Sequence, residues 1–488
     1  MTGIARLGGP IACLGLALLL TGKTRRDRLA GLGFGTIGAC VLAAALAPDR
    51  PLELVGGTAA VLVVGAALAL AFRRVPWLFP VLALACMPIR VAALGHQLLV
   101  PLYVVVLGAA LALAWELARG ELRIREFGRA TVPLAFVVAW TGLSLAWTKD
   151  VHEGAIEVLA FYVPFIVLAL AVARLPWDEL GPRALHAEVA VMGLIFAAVG
   201  FYQYDTRNIF ENRKVIHSNA YAPFFRVNSL FWDPSVYGRF LVLAMIPSIV
   251  LIVRGRSTRL AWAAFAALVV TWLGLLISFS QSSFAALLVA VFGVAILVWR
   301  WRALIAVVLA AIVLAGLAVA QPQVRRSLQH HTVHGLNSAT SGRADLVANG
   351  VRIAVAHPAL GVGVGGFRRA YVQRLHLKGL VAKKVASHDT PVTVAAETGL
   401  VGLALFVWLL VALFRDGFRR VDRSLRGRTS LVAALGLAAI LCHSLFYADF
   451  FEDPMTWALF GLVALVAPRR ERVAQPAPPP AEREAVPV

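Results

Sequence analysis

Apolar residues along this chain come in blocks close to twenty residues long, separated by short polar stretches, rather than at the spacing of an amphipathic helix or strand. The blocks fall near 8–22, 29–47, 54–72, 75–94, 98–117, 130–148, 154–173, 186–204, 236–253, 260–279, 282–299, 303–321, 397–414, 430–447 and 454–468. The first and last are short for a bilayer. The pattern therefore predicts an all-α integral membrane protein, a polytopic helical bundle of about 14–15 spans occupying residues 1–468. One long polar segment, 321–397, interrupts it, and a second polar stretch lies at 203–235. Hydrophobic residues make up 60% of the 488 and the mean hydropathy is +0.79, which removes the soluble globular classes from consideration.

Charge changes the picture by giving the bundle an orientation. The net charge is +20, but the Lys and Arg residues are scattered through loops and build no continuous basic face, so nucleic-acid binding is excluded. When alternate loops are assigned to opposite sides, the loops at 23–28, 73–74, 119–129, 174–183, 254–259, 300–302, 415–428 and 469–472 hold 26 Lys or Arg. The short loops of the other set hold seven. The positive-inside rule makes the first set cytoplasmic. Segments 203–235 and 321–397 are then expected to be extracytoplasmic, and 469–488, rich in proline and mixed charge, a disordered cytoplasmic tail.

The run Pro10–Leu20 is followed by Lys23, Arg25, Arg26 and Arg28 rather than by a small-residue cleavage pattern, and is expected to be a first span. Cys13, Cys40, Cys86 and Cys442 all fall in apolar blocks with no metal or disulfide spacing, and are expected to be core residues.

Within the long loop, Ser341 is positioned to cap a helix running to about Ala356, which Pro358 and the following glycines end. A second short, basic, amphipathic helix is expected from Phe367 to Leu377. Thr390-Pro391 reads as the N-cap and first position of the helix that re-enters the membrane, which sets His388 just outside a helix N-terminus suited to a phosphate. The glycines at 361–366 lack the Lys-Ser/Thr of a nucleotide loop and read as a tight re-entrant turn. His330, His331 and His334 contain an i, i+4 pair without an acidic partner, a solvated stretch more than a metal site.

Read singly, the remaining candidates stay open. Arg226, set among aromatics in Phe224–Pro234, is either an interfacial anchor or an anion ligand, and Arg343 either a surface residue of a first helical turn or a second such ligand. His388 alone is an ordinary loop histidine. Asp449, Glu452 and Asp453 form an acidic edge whose role is either acceptor contact or simple topology.

Taken together and in order, these elements resemble the O-antigen ligase and O-antigen polymerase superfamily of polytopic glycan transferases over roughly residues 200–465. The likeness rests on Arg226 ahead of Asp233-Pro234-Ser235, the serine-rich break Ser278–Ser283, Ser341-Gly342-Arg343, the turn His357 to Gly363, and His388 followed by Glu397-Thr398-Gly399. The resemblance implies a GT-C-like bundle with a large extracytoplasmic catalytic loop in a bacterial inner membrane. It implies transfer of a glycan from a polyprenyl diphosphate, such as undecaprenyl diphosphate, to an acceptor hydroxyl, without cofactor, metal or nucleic acid. In that reading Arg226 and Arg343 bind the diphosphate, His388 is the general base, and Asp389 and Glu397 give acceptor contact or support. The three principal residues should then converge on one cavity. The rival class is a transporter or flippase of lipid-linked glycan, which should place ionisable residues mid-span and show two related halves.

Overall fold

A computed structural model describes residues 2–46, 51–93, 96–120, 127–210, 212–221, 224–299, 302, 305, 343–379, 388–447 and 449–467. The apolar blocks are helices because a chain in lipid must satisfy every backbone N–H and C=O within itself. In chain order they are α1 (Thr2–Thr21), α2 (Arg25–Leu46), α3 (Pro51–Arg74), α4 (Leu78–Cys86), α5 (Val100–Arg119), α6 (Thr131–Ser144), α7 (Val151–Ala173), α8 (Leu180–Thr206), α9 (Arg213–Tyr221), α10 (Pro234–Arg254), α11 (Thr258–Ser278) and α12 (Gln281–Trp299). Beyond the long loop's own α13 (Arg343–Ala356) and α14 (Phe367–Arg374) come α15 (Thr390–Gly417), α16 (Leu425–Ser444) and α17 (Pro454–Val466). Among the described residues, ten helices are long and apolar enough to cross a membrane. The protein is thus an all-α polytopic membrane protein. Large apolar side chains such as Leu180, Val63, Leu288 and Trp262 lie exposed on the bundle's outside, as a lipid-facing surface requires.

Several boundaries differ from expectation. Block 75–94 is the nine-residue α4 followed by a small antiparallel ribbon, β1 (Val91–Ala93) with β2 (His96–Leu98), because Pro88 cannot continue a helix. Helix α15 begins about two turns before its apolar block, at Thr390. Residues 303–304, 306–342 and 469–488 lie outside the described residues, and with them Ser341 and the histidines at 330, 331 and 334.

Close packing at the N-terminal end uses small residues. A Cβ on Gly38 would sit 2.2 Å from the Ala12 backbone, and one on Gly142 2.2 Å from the Cys13 side chain, so α1 can lie directly on α2 and α6. Cys13 is buried as expected. Cys40 is exposed instead, because α2 turns that face outward, and Cys86 and Cys442 are half-buried; all four are free.

The loops sorted by charge also sort in space. Arg25 donates to Leu117 O (3.1 Å), Arg73 and Arg119 both cover the Trp115 ring, Arg129 N–H bonds Asp416, Arg254 reaches Val421 O, and Arg426 covers Trp177. These contacts tie the basic loops to one another at one end of the bundle. The polar residues of the glycine turn and the serine break gather at the other.

Candidate functional site

The site is built on a broken helix. Gly399 interrupts α15 with φ 70° and ψ −173°, values closed to an ordinary helical residue. A continuous helix would satisfy Ala396 O and Glu397 O from the amides of residues 400 and 401. Here the glycine turn does so: Val362 N–H donates to Ala396 O (2.9 Å) and Gly363 N–H to Glu397 O (2.8 Å), while Leu400 N–H donates to Pro358 O (2.8 Å). The Trp140 indole N–H closes the break by donating to Thr398 O (2.8 Å).

The run at 361–366 is therefore a tight turn, as its composition predicts, with φ positive at Gly361, Gly363 and Gly365. Its far side is held by α6 and its C-terminal extension. Val364 N–H donates to Ser144 Oγ (3.0 Å), Thr148 Oγ1–H to Val364 O (2.7 Å), and Lys149 N–H to Val362 O (3.0 Å).

Glu397, buried beside the break, accepts the Phe367 N–H at 3.0 Å and so caps α14. That helix packs Phe367, Ala370 and Tyr371 against Ile353 and Ala396, and its Arg368 pairs with Glu153 at 2.8 Å. It ends at Arg374, three residues short of the expected Leu377.

The sequence candidates are placed as follows. Arg343 is the first residue of α13. Arg226 is half-buried on the loop before α10; its Nε donates to Ser278 O (3.2 Å), and Asn219 grips its backbone from both sides. His388 is half-buried with its ring 6.4 Å from that of Tyr447. Asp389 corrects the cap assignment, for it and not Thr390 is the N-cap of α15, its carboxylate accepting from Val392 N–H at 2.9 Å. The amides expected to suit a phosphate thus already serve a carboxylate. Burial pushes the Asp389 carboxyl up from its ordinary range, against the pull of that same hydrogen bond.

Arg226 and His388 are joined through a polar hub. The serine-rich break buries Ser278, Ser280, Ser282 and Ser283, with Ser280 Oγ 3.2 Å from Ser282 Oγ and 2.8 Å from Ser283 Oγ. Ser282 Oγ lies 3.0 Å from Nε2 of His443 near the end of α16, and the His443 ring lies 5.7 Å from Tyr447, which faces His388. Arg226 thus borders this hub at the Ser278 carbonyl, and His388 borders it through the Tyr447 ring.

Sequence reasoning passed over His443, and with it Arg239 and Glu157. Arg239 is buried one turn into α10 and pairs with Asp449 (2.5 Å) and Asp453 (2.9 Å), so two members of the supposed acidic edge are internal counter-charges. Glu157 opens a π-helical turn, Glu157–Tyr162, inside α7, a distortion frequent at functional sites. The signal for all three was available: an ionisable residue inside an apolar block is by default functional.

Glu157, Glu397, Asp449 and Glu452 line a common cavity of about 70 Å³, with Trp140, Tyr162 and Thr390 among its other walls. The backbone of Gly365 lies beside both Glu157 and Glu397. Among the described residues no group of His, Cys, Asp and Glu has an arrangement that would hold a metal ion.

A family model described as O-antigen ligase matches residues 266–407. The chain carries an O-antigen ligase domain. No curated protein matches the chain. The ligase match contains the serine break, Arg343, the glycine turn, His388, Asp389 and Glu397. Outside it lie Arg226, Arg239, Glu157, His443 and the loop 449–453, which the tertiary structure brings to the same end as the ligase segment. The superfamily resemblance read from the motifs is thereby borne out, and with it a membrane glycan ligase or polymerase kind of function.

Proposed function

We propose that this protein moves a glycan from a polyprenyl diphosphate carrier, undecaprenyl diphosphate in a bacterial inner membrane, to an acceptor hydroxyl at the outer membrane face. The observation that carries this reading is the ligase family match across the glycine turn, the broken α15 and His388. In it, Arg226 and Arg343 hold the diphosphate through paired guanidinium donors, which stabilise negative charge as it grows on the leaving group. His388 takes the proton of the attacking hydroxyl, and one displacement inverts the anomeric centre. Asp389 fixes the start of α15 beside that histidine, and Glu397 holds the glycine turn. No metal is required, because the arginines supply the positive charge.

Polysaccharide polymerase and lipopolysaccharide ligase differ only in the acceptor, and the same chemistry serves both. The transport reading is disfavoured by depth: Glu157, Arg239 and Glu397 each lie within about two turns of their helix ends, roughly 10 Å at 1.5 Å per residue, and so near one face and not at mid-bilayer.

The experiment is transfer in reconstituted membranes from purified polyprenyl diphosphate glycan, with chelator present. His388→Ala is expected to abolish transfer while donor still binds, and Arg226→Lys or Arg343→Lys to weaken donor use. Near-normal transfer by correctly inserted His388→Ala would remove the proposed base. Loss of transfer on adding chelator would remove metal independence.

A further inference from the structure

Arg226 rests on a seat formed by the outer end of α11. Over three successive helix-end residues the loop and the helix meet: Val227 N–H donates to Ile277 O (3.3 Å), Arg226 Nε donates to Ser278 O (3.2 Å), and Phe224 stacks on Phe279 with ring centroids 4.8 Å apart. The carbonyls of 277 and 278 can accept because α11 stops there, and the last C=O groups of a helix have no partner within it. The helix stops at Phe279, a bulky residue with φ 49°, in a region that L side chains rarely adopt. Such a conformation persists only where its surroundings fix it.

The serine break supplies that fixing, with His443 behind it. Ser278 Oγ accepts from Ser280 N–H (3.3 Å), and Ser280 Oγ caps α12 by accepting from Ser283 N–H (3.4 Å) while meeting the hydroxyls of Ser282 and Ser283. A serine in an apolar helix commonly returns its hydroxyl to a carbonyl of the preceding turn, as Ser278 does to Leu275 O (2.7 Å). Ser282 reaches across to Nε2 of His443 instead, at 3.0 Å and over 161 residues of chain. His443 is wholly buried in the last turn of α16, and an ionisable ring kept inside a span is a candidate for function. It ties the hairpin of α11 and α12 to α16 at the level of the seat.

We infer that His443 is a positioning residue for Arg226: it holds Ser282, the serine break so fixed aims the Ser278 carbonyl, and that carbonyl sets the plane in which the guanidinium meets the donor's diphosphate. The inference rests on the transferase reading and adds to it a residue outside the ligase match that governs donor use. A planar fork grips two phosphate oxygens by orientation, so tilting its plane weakens the grip without removing charge. The His443 ring also lies 5.7 Å from that of Tyr447, which faces His388; action by that route would slow the chemical step instead of weakening donor binding.

The test uses the full chain in lipid nanodiscs, titrated calorimetrically with farnesyl diphosphate, a short polyprenyl diphosphate, and assayed for transfer at saturating polyprenyl diphosphate glycan. His443→Leu should raise the farnesyl diphosphate Kd about tenfold, the size of one lost hydrogen bond, and leave the saturated transfer rate within about twofold of wild type. His443→Gln, whose amide can give or take a hydrogen bond with Ser282, should restore the affinity, and Ser282→Ala should lower it as His443→Leu does. In an Arg226→Lys background His443→Leu should add little, because the fork it orients is gone, whereas in an Arg343→Lys background it should add its full effect. No binding by wild type, a slowed saturated rate at unchanged affinity, no rescue by His443→Gln, or equal additivity with both arginines would each overturn the proposal. If His443→Leu does not insert, Ser282→Ala carries the same comparison. Transfer without coupling to Arg226 defeats the positioning role alone, whereas coupling without transfer defeats the transferase reading alone.

Discussion

Single residues at this site are constrained by backbone before they are constrained by chemistry. A Cβ on Gly363 would stand 2.2 Å from Thr148 Cα, and its φ of 86° is one that L residues rarely adopt. Gly363→Ala must therefore displace the turn from the α6 extension as well as bear the left-handed penalty of roughly 1–2 kcal/mol. Gly379 has a similar φ of 65°, but a Cβ there would meet nothing within 4 Å, so Gly379→Ala should bear the penalty alone. Thermal unfolding in detergent should show a clearly larger drop in midpoint for Gly363→Ala. Equal drops would mean that the turn yields easily and that its fit against Thr148 contributes little.

At the scale of elements, the unit that matters is the pair formed by the glycine turn and the broken α15. Each supplies the hydrogen bonds the other lacks, so neither is stable in this form without its partner. Glu397 adds a side-chain tie to the N-terminus of α14. Glu397→Gln keeps an acceptor oxygen for Phe367 N–H, whereas Glu397→Ala leaves that buried amide unsatisfied, at a cost of about 1–3 kcal/mol. Hydrogen exchange across 357–374 should stay near wild type in the first variant and rise in the second. Equal exchange in both would show that the carboxylate is not what holds the helix start.

At the scale of the whole molecule, the prediction concerns sidedness. Contacts among the basic loops place them at one end, and the site at the other, while the excess of 26 over seven basic residues assigns the first end to the cytoplasm. In a chain freed of its four native cysteines, Lys378→Cys should react with an impermeant maleimide in intact cells. Arg423→Cys should react only after lysis; both positions are exposed. The reverse pattern would invert the orientation and put the site on the cytoplasmic face.

The sequence by itself determined the membrane class, most spans, the sorting of loops and the polar motifs, because each depends on local hydropathy, net loop charge or residues near one another in the chain. The glycine turn was legible since only glycine suits three positive φ values in five residues. What it could not show was partnership. Asp389 and not Thr390 caps α15, because both side chains are able to and only the fold selects between them. Arg239 finds Asp449 and Asp453 across more than two hundred residues, Ser282 finds His443 across 161, and the turn at 362–363 completes a helix break that hydropathy reads as one apolar block. Such pairings answer to the packing of helices on one another, and a buried charge or open carbonyl is settled only when the opposite wall arrives.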